Sequence, residues 1–178
     1  MDFFESVPIG YLRADRTLFV NSEYCLQCDP GDNPDNQKGR HWYVDAMVVD
    51  FKKCHVFLCE FSYAKGLGSM LNRLKGWQKN WGAIPSAIAR DSSIPSDWMV
   101  RPWLFAPESM IPELVEKVKR LTYNYSSGLP VPRITPLEMT LPWHYKSWNR
   151  NGEAAKPDCV PIEMREYHPA DSSCKCNG

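Results

Sequence analysis

The chain has 178 residues, 43% of them hydrophobic and 24% charged, which fits one folded domain with a core of its own and excludes a wholly disordered chain. Lys+Arg and Asp+Glu both total 21, so no overall basicity advertises a polyanionic partner. No apolar run reaches the length of a membrane span, and Met1-Asp-Phe-Phe-Glu5 lacks the basic opening of a secretory signal.

These features predict a soluble cytoplasmic protein with no membrane partner. Seven cysteines is an odd number, and Cys54 and Cys59 sit inside an apolar run, which suits reduced thiols better than a disulfide framework. Seven Trp and 15 Pro point to a loop-rich protein with aromatic clusters.

In chain order, a short helix is expected at Asp2–Val7 and a short strand at Thr17–Val20. Asp29–Gly39 is built almost wholly of turn formers and reads as a loop. Strands at 42–50 and 54–62 follow, joined tightly enough to pair as an antiparallel hairpin. Leu67, Met70, Leu71, Leu74, Trp77 and Trp81 recur at helical spacing, which predicts a helix over 66–81 that Gly82 ends. A second helix is expected at Ile84–Arg90, with Pro85 in its first turn.

Trp98–Phe105 reads as a strand whose Pro102 calls for an edge or a bend. Pro107–Leu121 is a helix with early acids, late bases and an apolar stripe at Ile111, Leu114, Val115 and Val118. A last strand is expected at Arg133–Met139, and residues 151–178 form a polar tail. A hairpin feeding helices that cross to further strands implies an α/β domain over 1–150, with a mixed sheet and flanking helices.

The hairpin carries the chemistry. Asp45 opens one strand and Glu60 stands near the end of the next, fifteen residues on. Two hard oxygen donors at the ends of paired strands suit Mg²⁺ or Mn²⁺. Val44-Asp45 and Glu60-Phe-Ser62, followed by a basic helix, resemble the PD-(D/E)XK nuclease superfamily, the restriction-endonuclease-like fold, over about 17–105. That resemblance implies a core of helix, three-strand meander, helix and strand, with Asp45 and Glu60 binding metal and the carbonyl of residue 61 completing the shell.

It implies a metal-dependent nuclease-like protein that acts on, or only binds, the DNA phosphodiester backbone. Two positions depart from the pattern: Val44 stands where it has proline, and Ser62 where it has the lysine that orients the attacking water. Lys65 is the displaced candidate for that catalytic amine. Glu23 is a candidate third metal ligand, Glu5 another if the first helix forms, and Asp50 an alternative to Asp45 that sits at the hairpin turn.

Between Lys65 and Arg101 six basic residues stand against two acidic ones. Arg73, Lys75, Gln78 and Lys79 on the predicted helix are the candidate nucleic-acid contacts. An ordinary solvated helix face would look the same. Cys25-Leu-Gln-Cys28 and Cys174-Lys-Cys176 have knuckle spacing, and together would close a structural Zn²⁺ site, with His41 and His168 as spare ligands. His55 reads as structural, and His144 lies in an aromatic segment suited to base stacking or to a satellite core. The rival expectation to the nuclease is a noncatalytic module that binds a protein partner and carries that zinc site.

Overall fold

The computed structural model describes residues 3–29, 40–64, 66–122 and 128–142. Its elements run α1 (Phe3–Ala14), β1 (Leu18–Gln27), β2 (His41–Asp50), β3 (His55–Phe61), α2 (Gly68–Asn80), α3 (Ile84–Ser92), β4 (Met99–Ala106), α4 (Ile111–Thr122) and β5 (Arg133–Pro136). The five strands form one mixed sheet in the order β1-β2-β3-β4-β5. β1, β2 and β3 are an antiparallel meander, and β4 and β5 add parallel to β3. The expected α/β class with a mixed sheet and flanking helices is what the chain adopts. Among the described residues no helix is long and apolar enough to cross a membrane.

The sheet buries apolar side chains on both faces. Val56 and Leu58 of β3 face a core closed by Met70, Leu74 and Trp77 of α2, Ile84 and Ile88 of α3, and Leu114 and Val118 of α4. Phe57 and Cys59, on the alternate positions, face Leu12 of α1, Trp103, Phe105 and Leu137. The near-continuous apolar runs of β2 and β3 follow from this two-sided covering. The close approach of α2 to β2 needs Gly76, where an added Cβ would stand 3.3 Å from Trp42 Nε1.

Three elements differ from expectation. α1 continues to Ala14 through Pro8, because burial of Ile9 and Leu12 offsets the hydrogen bond that proline removes. β1 runs ten residues to Gln27, seven beyond the expected Val20, through the polar stretch Asn21-Ser22-Glu23, because Leu26 belongs to the core on the α2 side. β5 stops at Pro136, and Leu137–Thr140 forms a 3₁₀ turn.

Pro102 sits in an interior strand, not at an edge. Phe105 O accepts from Ser62 N and Met99 N donates to Cys54 O, so the odd positions of β4 turn their backbone groups to β3. Pro102 therefore faces the β5 side, where pairing begins only at Trp103, and no ladder bond is lost.

A break in alternation marks the middle of the meander. In β1, Leu18 and Val20 pack on the α1 side, while Tyr24 and Leu26 pack on the α2 side. In β2, Val48 and Ala46 face α1, while Val44 faces α2. Residues two apart normally share a face, so both strands turn over at Glu23 and Asp45. Glu23 takes a φ of 56°, and the β1–β2 pairing skips this one position.

Candidate metal centre where the β2–β3 ladder stops

Regular β2–β3 pairing ends at Ala46 and Cys59, so Asp45 and Glu60 are the next residues on the two strands. Beyond that point side chains take over from the ladder. Asp45 Oδ2 accepts a 2.6 Å hydrogen bond from the Phe61 backbone N–H. The turn-over at Asp45 thus places its carboxylate on β3 beside Glu60. On β3, Glu60 shares the face of Leu58 and Val56, and so looks toward α2.

Glu60 is 6% exposed, an unusual place for a carboxylate. Arg73 of α2 supplies one partner, its Nε lying 3.1 Å from Glu60 Oε2. The same guanidinium donates from Nη1 to the Tyr43 carbonyl near the start of β2, tying the helix to both strands. Glu60 Oε1 is buried with no hydrogen-bond partner among the described residues. Burial first, and then the nearby Asp45 charge, push the Glu60 carboxyl up to about 9, against the opposing pull of Arg73. The 3.1 Å contact alone would suggest an ionised pair. The desolvation of Glu60 is the larger effect, because a single guanidinium one-third exposed to water neutralises it incompletely.

Among the described residues no group of three or more His, Cys, Asp or Glu converges on one point. Glu23, at the position that the β1–β2 pairing passes over together with Asp45, is exposed. Glu5 is in the first turn of α1, the helix on the opposite face from α2. Asp50 closes the hairpin opposite His55, at the far end of the strands, where its Oδ1 accepts from Lys53 N. Ser62 is buried just past β3 and donates its N–H to Phe105 O. Lys65 lies outside the described residues.

The four residues expected to contact nucleic acid separate. Arg73 is committed to Glu60 and Tyr43. Gln78 Nε2 donates to the Leu121 carbonyl at the end of α4. Lys75 and Lys79 are exposed on the outer surface of α2, well round the helix from Arg73. The sequence pattern identified Arg73 as basic but carried no signal that it would pair with Glu60, thirteen residues earlier. The Phe61 N–H that orients Asp45 was equally hidden, since it depends on where the β2–β3 ladder stops.

Cys25, Cys28, Cys54 and Cys59 form no disulfide. Cys28 continues the α2-side face of Tyr24 and Leu26, so Cys25 turns to the other face. Burial raises the Cys28 thiol, which favours its protonated form over a metal-binding thiolate. Cys174 and Cys176 lie outside the described residues, as do His144 and His168. In comparisons with family models, curated proteins and solved structures, nothing matches the chain.

Proposed function

We propose that this protein is a metal-dependent nuclease-like enzyme of restriction-endonuclease-like architecture, acting on the phosphodiester backbone of DNA. The observation that carries the reading is the buried Glu60 carboxylate, one oxygen unpartnered, beside the Asp45 carboxylate at the end of the ladder. The order of helix, three-strand meander, helices and parallel strand supports it, because that is the core the Val44-Asp45 and Glu60-Phe-Ser62 pattern implies.

The residues present fit a hard divalent cation. Glu60 Oε1 lacks a donor, and a second carboxylate beside it raises the local negative charge that such an ion neutralises. Asp45 and Glu60 would hold Mg²⁺ or Mn²⁺, which when bound polarises a phosphoryl oxygen and acidifies a water. The chain's own contributions are distinct. Phe61 N–H fixes the Asp45 carboxylate. Arg73 offers a guanidinium fork that suits a phosphate oxygen.

With Ser62 in place of the motif lysine, Arg73 is the cation paired with Glu60. It also competes for Glu60, so cation binding and the Arg73–Glu60 pair oppose each other. Lys75 and Lys79 on the outer surface of α2 supply positive charge for flanking phosphates.

The test is cleavage of plasmid and single-stranded DNA with added Mg²⁺ or Mn²⁺, comparing wild type with Asp45→Asn and Glu60→Gln. Metal-dependent nicking by the wild type, lost in both variants, is expected. Equal background activity in all three proteins would remove the catalytic claim.

A further inference from the structure

A second concavity lies on the opposite face of the sheet and at the opposite end of the hairpin from Asp45 and Glu60. It has a volume of about 440 Å³, and is walled by the end of α1 (Tyr11, Leu12) and the turn after it (Asp15, Arg16), the hairpin turn (Asp50, Lys53), Trp103 of β4 and Arg133 of β5. That volume is in the range of small-molecule sites and far exceeds that of a lone inorganic ion.

Its charges divide into two sets. Both carboxylates are committed to local turns. Asp15 Oδ1 accepts from the Thr17 N–H at 2.9 Å and from the Thr17 hydroxyl at 2.8 Å. Asp50 is buried and accepts from Lys53 N at 3.0 Å. Among the described residues Arg16, Lys53 and Arg133 make no ion pair, while the Asp15 and Asp50 charges reach Arg133, and the Asp15 charge Lys53, through space. Three cations against two carboxylates leave the lining a formal excess of one positive charge.

One of these cations is held in place. The Arg133 guanidinium carbon lies 3.8 Å from the Trp103 ring centroid and 6.0 Å from that of Phe57. Trp103 is itself fixed, its Nε1 donating to Thr135 Oγ1 at 2.9 Å and its ring stacked on Phe105. A guanidinium lying on a rigid aromatic platform loses little freedom when it receives a ligand oxygen.

We infer that this cavity binds a small phosphate-bearing organic anion of about the size of a nucleoside monophosphate. Two guanidinium forks and an ammonium match the several oxygens of a phosphate dianion better than a single carboxylate. Tyr11, Leu12 and Leu18 give the apolar wall that an attached ring requires. The ligand is either a free nucleotide or the 5′-phosphorylated end of a strand. The site uses neither Asp45 nor Glu60, so it stands apart from the proposed nuclease chemistry.

The experiment is calorimetric titration of the full chain with AMP, adenosine and a 5′-phosphorylated DNA tetranucleotide, repeated on Lys53→Gln and Arg133→Gln. AMP is expected to bind saturably and at least about tenfold more tightly than adenosine, with each variant losing about tenfold or more. Arg133→Gln also removes the stack on Trp103, so Lys53→Gln, on an exposed turn, keeps the test valid if the first variant unfolds. Tetranucleotide binding equal to AMP, and lost when its 5′-phosphate is removed, would assign a strand end; AMP binding alone would assign a free nucleotide. Equal affinity for AMP and adenosine, no saturable AMP binding below about 10 mM, or undiminished binding in the folded variants would overturn the inference.

Discussion

Replacing Glu60 by glutamine isolates the electrostatic cost of burying that carboxyl, since the side chain keeps its shape and loses only the charge. In the folded protein burial and Asp45 push Glu60 up to about 9, from 4.5 in the unfolded chain. A raised folded value means that the folded state holds the proton more tightly. The stability this contributes is complete below 4.5 and is lost as pH rises through about 9.

Between about pH 5 and pH 8 the loss approaches 1.4 kcal/mol per pH unit, so about 4 kcal/mol is the ceiling for the wild type. Local relaxation and water reaching the site reduce it, and about 2 kcal/mol is the working expectation. Urea unfolding followed by far-ultraviolet circular dichroism measures it directly. Wild type is expected to weaken steadily across that range, while Glu60→Gln stays nearly flat in this contribution and is the more stable protein at the alkaline end. Parallel curves for the two proteins would refute the reasoning, because they would mean that Glu60 is already ionised and compensated in the folded state.

Two further substitutions test neighbouring contacts. Arg73→Gln removes the pull that lowers Glu60, so without added metal the Glu60-dependent loss should continue to higher pH than in the wild type. The same variant should bind Mn²⁺ more tightly than wild type while losing any DNA cleavage; unchanged affinity by calorimetry would show that Arg73 and the cation do not contend for one oxygen. Gly76→Leu drives a side chain into Trp42, already at 3.3 Å from a bare Cβ, and should cost about 1–3 kcal/mol in urea unfolding, with wild-type stability arguing against the close α2–β2 approach.

Much of the frame could be read from residue pattern alone. The apolar runs around Val48 and Phe57 and the stripe Met70-Leu74-Trp77 predict the hairpin and α2, because the strands are covered on both faces and the helix buries one. The second half of β1 was hidden because Asn21-Ser22-Glu23 is polar where the strand turns over, and the turn-over is a property of two paired strands. α1 was cut short at Pro8, since local propensity cannot weigh the distant sheet that buries Leu12. At the carboxylates, spacing brought Asp45 and Glu60 together, but Asp45 does not open its strand: it is the fifth residue of β2, just beyond the last β2–β3 pair. The Phe61 cap on Asp45, the Arg73 pair and the partnerless Glu60 oxygen depend on where a ladder ends and how a helix is rotated. Neither is encoded within a few residues of the site.

The claim at the centre of this account is that Asp45 and Glu60 together hold a divalent cation. Calorimetric titration of Mn²⁺ near pH 8 into wild type, Asp45→Asn and Glu60→Gln tests it most directly, with folding of each variant verified by circular dichroism. The account predicts saturable binding by the wild type, with proton release as Glu60 ionises, and a loss of at least about tenfold in affinity in each variant. Binding of equal strength in all three folded proteins, or none in the wild type, would contradict it.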